Sequence, residues 1–146
     1  MLSRLHTLSP QLDSAFRHAD DAAKHDAVLG ACQYVADKLP RREEIINIGL
    51  DFLRGKTEGR DELIRKLQKF SEEKDEEYFL LNEQQSEEAR SRALMLFSEA
   101  RVASAILMAI SNGAGALDDA IYEAAMSMDD SDVLIPRLQA ILQPAG

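Results

Sequence analysis

Apolar and small residues recur at helical spacing along most of the chain, most densely in the stretch from Ala93 to Ile110, ALMLFSEARVASAILMAI. Ala89, Ala93, Leu96, Phe97, Ala100 and Ala103 form one stripe of a 3.6-residue repeat. From Val102 to Ile110 every side is apolar or small, the pattern of a helix enclosed by partners rather than lying on a surface. Ala100, Ala103, Ser104, Ala105 and Ala109 leave room for close neighbours. Asn82, followed three residues on by Gln85, resembles a capping box. A long central helix is therefore expected over about 83–111.

The rest of the chain supplies its partners. Ser9-Pro10 reads as an N-cap and first helical position, and Leu12, Phe16, Ala19, Ala23, Ala27, Ala31 and Val35 hold the rhythm to about Lys38. This run reads either as one helix or as two joined near Ala23–Asp26, with Asp26 as the second cap. Pro40 stops it. Ile45, Ile46, Ile48, Leu50 and Leu53 define a second element closed by Gly55, and Thr57 can cap a third that carries Leu63, Ile64, Leu67 and Phe70. Beyond Phe70 the apolar signal fails across Ser71–Glu77, SEEKDEE, so the helix either continues as an exposed segment or breaks there. Asn112-Gly113-Ala114-Gly115 is a turn. Leu117 to Met128 is a further helix, Asp129 to Asp132 a loop, and Pro136 starts or nearly starts a last short helix to Leu142. No β alternation, repeat or linker appears. The reading is all-α: one domain over 1–146, an irregular bundle of about six or seven helices.

Composition narrows the function. A hydrophobic content of 45% with 29% charged residues is that of a globular protein. The charge-free run from Val102 to Asn112 is shorter than the roughly 20 residues of a membrane span, and the N-terminus lacks the apolar core of a signal peptide. A lone Cys32 in a helical pattern reads as a small buried hydrophobe. A cytoplasmic protein is expected. The net charge of −9 is unevenly spread: residues 1–60 balance nine bases against nine acids, whereas residues 61–146 carry eight bases and seventeen acids. Such a surface repels nucleic acid and anionic membrane and attracts a basic protein.

No catalytic, cofactor or metal motif emerges. His18 and His25 are about 10 Å apart along a continuous helix, too far for one ion, and neither sits in a zinc or di-iron pattern. No serine lies in a strand–turn–helix context. Asp118 and Asp119 would repel a phosphate from the helix start after Gly115. The loop Asp129-Asp130-Ser131-Asp132 lacks the central glycine and final glutamate of a calcium loop. Paired acids such as Glu72-Glu73, Glu76-Glu77 and Glu87-Glu88 stand in polar surroundings and read as solvated carboxylates. The expectation is a protein without catalytic activity.

Between Ser71 and Glu88 eight acids stand against the single Lys74. Glu72, Glu73, Asp75, Glu76, Glu77 and Glu83, with Tyr78 and Phe79 among them, make a candidate partner-binding ridge: rings supply buried area, carboxylates supply steering. Asp118, Asp119, Asp129 and Asp130 belong to a second cluster of six acids and no base between Asp118 and Asp132. The competing reading is a solvated helix face whose aromatics turn into the core.

The segments INIGLDFLRGKTEGRDELIRKL from Ile46, ALMLFSEARVASAILMAISN from Ala93 and AIYEAAMSMDD from Ala120 together resemble the small all-α bacterial immunity proteins of polymorphic toxin systems. The resemblance implies a protein that binds and neutralises a cognate toxin domain without catalysis; the acidic ridge fits a basic toxin domain as that partner, and the apolar stretch 102–110 fits a monomer core or, less simply, a homodimer one. An acidic adaptor or regulatory subunit of an intracellular complex is the alternative, and an enzyme with a dispersed active site the third. A concave pocket holding two or more carboxylates of raised pKa would mark the last.

Overall fold

A computed structural model describes residues 4–55, 58–111, 117–128 and 131–143. These residues form eight helices and no strand: α1 Arg4–Leu8, α2 Pro10–His18, α3 Asp21–Asp37, α4 Glu44–Leu53, α5 Arg60–Asn82, α6 Glu87–Ser111, α7 Leu117–Met126 and α8 Leu134–Leu142. The all-α bundle around a long helix is as the periodicity predicts; the eighth helix is α1, which precedes the Ser9 cap, and two boundaries within the chain differ from the expected ones.

The first is at α2 and α3. Ser9 Oγ accepts from Leu12 N at 3.2 Å with Pro10 next to it, as expected of this pair. The run to Lys38 is two helices, and they divide earlier than Ala23: Ala19 is extended, and Asp20 Oδ1 accepts from Ala23 N at 2.7 Å. Asp20, not Asp26, is the second cap. Gly55 closes α4 with a φ of +134° and Gly59 opens α5 with a φ of +75°, conformations that L side chains resist. Thr57 lies outside the described residues. His25 bridges α3 to α4, its Nε2–H donating to the Leu53 carbonyl at 2.9 Å, one of the carbonyls left over at a helix end.

The second difference is at α5. It runs unbroken through SEEKDEE to Asn82, because its inward row continues past Leu67 as Ser71, Lys74 and Tyr78. Ser71 Oγ lies 3.1 Å from Ser104 Oγ and donates to the Ala100 carbonyl at 3.4 Å. Asn82 ends α5 instead of capping α6; Ser86 does that, its Oγ accepting from Ala89 N at 3.1 Å. The central helix therefore starts at Glu87, later than about 83.

Against α6 lie α5, which makes its most extensive contact, and α7, α4 and α3. Leu5, Leu12, Phe16, Val28, Ile46, Leu50, Leu67, Ile106, Ile121, Leu134 and Leu138 meet in one apolar cluster. Gly49 lets α4 cross tightly, since a Cβ there would stand 2.6 Å from Ile106 Cγ2. Cys32 is buried in this cluster, and burial pushes its thiol up to about 12. By length and composition α6 is the one described helix apolar enough to cross a membrane, but half of that stretch is packed inside the bundle. Ala89, Ala93, Leu96 and Ala100 are buried yet stand apart from the main cluster, so the far ends of α5 and α6 form a hairpin held mainly by each other.

Candidate protein-binding surface

Helical spacing sorts the acidic ridge. With Leu67, Ser71, Lys74 and Tyr78 facing α6, the residues between them must face water. Glu72, Glu73, Asp75, Glu76, Glu77 and Glu83 are all exposed, as are Glu87 and Glu88. Lys69 pairs with Glu73 at 3.9 Å; among the described residues no base lies within ion-pair distance of Glu72, Asp75, Glu76, Glu77 or Glu83.

The two aromatics divide. Tyr78 is half-buried, its ring 5.7 Å from that of Phe97 on α6. Phe79 is 67% exposed and meets Tyr78 edge-on at 5.7 Å, and Leu80 beside it is 61% exposed. Phe79 is one helical turn from Asp75, Glu76 and Glu83, and Leu80 one turn from Glu76, Glu77 and Glu83. An apolar pair ringed by carboxylates thus stands near the tip of the α5–α6 hairpin.

Lys74 does not neutralise this ridge, because it points inward. Its Nζ lies 3.0 Å from Glu43 Oε2 and 3.3 Å from Glu99 Oε2, while Arg41 reaches Glu99 Oε1 at 3.8 Å. Glu99 is 1% exposed, in the middle of α6. Burial raises its pKa, with the Glu43 carboxylate adding and Lys74 opposing. Burial acts the same way on Glu43, but the Lys74 ammonium outweighs it and holds Glu43 below the usual range. Burial tends to lower Lys74, and the two carboxylates override that and raise it. Both Glu99 oxygens and Glu43 Oε2 lack an aligned hydrogen bond, so the attraction is that of charges at close range.

The second acidic cluster is partly spent within the fold. Glu123 is buried and takes Arg101 Nη1 at 2.7 Å and Arg4 Nη1 at 3.3 Å. Asp119 takes Arg4 Nε at 3.3 Å, and Asp118 is half-buried beside it in the first turn of α7. The balancing bases come from α1 and α6, so counting charges along α7 misses them. Asp129 and Asp130 lie outside the described residues. The structure therefore keeps the ridge together as a surface and separates it from Asp118 and Asp119.

A groove of about 500 Å³ opens between the end of α3, the first half of α6 and the end of α7. Lys38 is the one charged residue along it; Glu43 and Glu99 are not part of its wall. Among the described residues no group of three or more His, Cys, Asp or Glu is placed to hold a metal ion. Compared with protein-family models, curated proteins and solved structures, the chain matches none.

Proposed function

We propose that this protein is a non-catalytic binding module whose α5 ridge captures a basic protein partner. The observation that carries this reading is Lys74: by turning inward to Glu43 and Glu99 it leaves Glu72, Asp75, Glu76, Glu77 and Glu83 without a described counter-charge around the exposed Phe79 and Leu80. Unneutralised carboxylates steer a cationic partner and set its register. Desolvated rings at the centre of such a patch supply most of the affinity.

The narrower reading, neutralisation of a cognate toxin domain in the manner of a bacterial immunity protein, rests on the sequence resemblance and on the charge of the ridge. The adaptor reading shares the surface and differs only in the partner. Capture of the tagged protein's partner from its native host, at low and high salt and identified by mass spectrometry, tests the proposal. A basic protein retained at low salt, released by salt and lost with the Glu72→Gln/Glu76→Gln/Glu83→Gln variant supports it. The same partner captured equally by that variant overturns it. If the partner carries a toxin domain, growth protection by co-expression separates immunity from the adaptor reading.

A further inference from the structure

The groove beside α6 has a largely apolar lining. Leu39 and Pro40, Leu94 and Met95 of α6, and Met126 and Met128 are among the residues that line it. Leu94 is 60% exposed and Met126 is 41% exposed, in a region where isolated apolar exposure would need no comment but a contiguous, concave one does. Three methionines in one groove give a surface that adapts its shape to an incoming apolar side chain.

Phe97 joins this groove to the acidic ridge. It is part of the groove wall, Tyr78 packs on its ring, and Phe79 packs on Tyr78. A row of rings thus links the methionines to the carboxylates around Phe79, with the Arg101 guanidinium lying 5.1 Å over the Phe97 ring. A partner lying along it meets apolar walls first and negative charge at the far end.

The groove's polar groups decide the form of the occupant. Ser98 Oγ donates to the Ser127 carbonyl at 2.9 Å, and Ser127 Oγ donates to the Ala124 carbonyl at 2.7 Å. Those two hydroxyls are already committed as donors, which leaves Ser91 and the Lys38 ammonium, 5.2 Å over the Tyr34 ring, as the other polar groups of the lining. An extended peptide would bury backbone N–H and C=O groups with few partners to meet them, at a cost that grows with each residue. A helix satisfies its own backbone and presents only side chains.

We infer that the groove between α3, α6 and α7 seats an amphipathic helix of the partner, whose apolar face fills the methionine-lined wall and whose basic residues reach the α5 carboxylates along the Phe97–Tyr78–Phe79 row. This extends the binding reading above and rests on it.

A synthetic amphipathic Leu/Lys helix is the probe, titrated into protein labelled at the methionine methyl carbons and followed by NMR. Two control peptides accompany it: one of the same composition with the helical periodicity scrambled, and one with Glu in place of Lys. The expected result is movement of the Met95, Met126 and Met128 signals by the Leu/Lys peptide alone. Leu94→Asp, a change at an exposed helix position, weakens binding about tenfold or more, and Glu72→Gln/Glu76→Gln/Glu83→Gln weakens it with a loss of salt dependence. Binding that moves no methionine signal and ignores Leu94→Asp overturns the groove while leaving the ridge reading intact. Equal binding by the scrambled or Glu peptide, or no binding by any, overturns the choice of a basic helix. Methionine signals that move with protein concentration alone replace the partner helix by a second copy of this chain.

Discussion

Lys74 Nζ lies 3.3 Å from Glu99 Oε2, joining the one base of the acidic ridge to the one acid wholly enclosed in the central helix. The side chains are 11% and 1% exposed, so water screens the pair little, and Glu43 shares the same ammonium. Removing the lysine leaves the enclosed Glu99 carboxylate facing the part-exposed Glu43, with Arg41 at 3.8 Å as its one remaining base. Lys74→Met is expected to cost about 3–5 kcal/mol of unfolding free energy, the scale for stranding a buried charge. Lys74→Met/Glu99→Leu should recover much of that loss, which urea denaturation of the two variants checks.

The same cluster gives a pH signature. Glu99, raised by burial, holds its proton more tightly folded than unfolded, so the wild type loses its contribution as pH rises from the ordinary glutamate range through the raised value. Glu43, held low by Lys74, contributes stability above the ordinary range that is lost as pH falls through its lowered value. Stability of Glu99→Gln relative to wild type should therefore climb with pH from about 4.3 upward and then level off. Glu43→Gln should lose most at neutral pH and least in acid. Urea midpoints collected across the acid-to-neutral range would reveal a flat difference if neither glutamate titrates as placed.

Glu123 is served by two arginines, so each protects against loss of the other. Arg101→Met should cost more than Arg4→Met, because its contact is 2.7 Å rather than 3.3 Å. The double variant strands a buried carboxylate and should exceed the sum of the singles by about 1 kcal/mol or more. A strictly additive double-mutant cycle would show that Glu123 does not depend on the pair.

Phe79 and Tyr78 are adjacent in sequence and opposite in consequence. Phe79→Ala removes an exposed ring and should change stability by less than about 0.5 kcal/mol, while weakening partner capture by about 2 kcal/mol if the ring is an anchor. Tyr78→Ala removes the contact with Phe97 and should lower the melting temperature. Thermal melts read beside binding assays separate these two effects.

Gly49→Ala places a methyl where α4 crosses α6. Ile106 is fully buried and cannot step aside, so a loss of about 1–3 kcal/mol is expected from overpacking. Chemical denaturation of this one variant measures how tightly the crossing is closed.

The fold was legible wherever apolar residues alone mark the inward face. The α3, α4 and α6 stripes predict most of their buried residues, since Ala27, Ala31, Val35, Ile46, Leu50 and Leu96 turn in, whereas Ile48 of the α4 set is 44% exposed. Legibility ends where inward positions are polar. Ser71 and Lys74 occupy the contact face of α5, so the periodic signal vanishes although the helix does not. Glu99 is the counterpart: spacing puts it inward beside Leu96 and Ala103, but a charge is ordinarily read as outward. Its partners, Lys74 and Arg41, lie 25 and 58 residues away along the chain, a pairing that only tertiary structure can reveal. Two of the caps differ for a smaller reason: Asp20 and Asp26, or Asn82 and Ser86, are equally able to accept an N-terminal amide, and packing chooses between them. For the candidate site, the carboxylates of α5 could be identified from the pattern, whereas the opposite fates of Tyr78 and Phe79 depend on where Phe97 sits.

The hairpin made by the far ends of α5 and α6 separates two kinds of selection. Its inner row is constrained by complementary chemistry: Ser71 must suit Ser104, Lys74 must suit Glu99, and Tyr78 must suit Phe97. Its outer row, Glu72, Asp75, Glu76, Phe79 and Glu83, has no such obligation to the interior. Substitutions can accumulate there one at a time without a compensating change in the core, so the outer row is free to diverge while the scaffold stays the same. A lineage built on this hairpin could exchange one binding preference for another through point mutations, at little risk to folding.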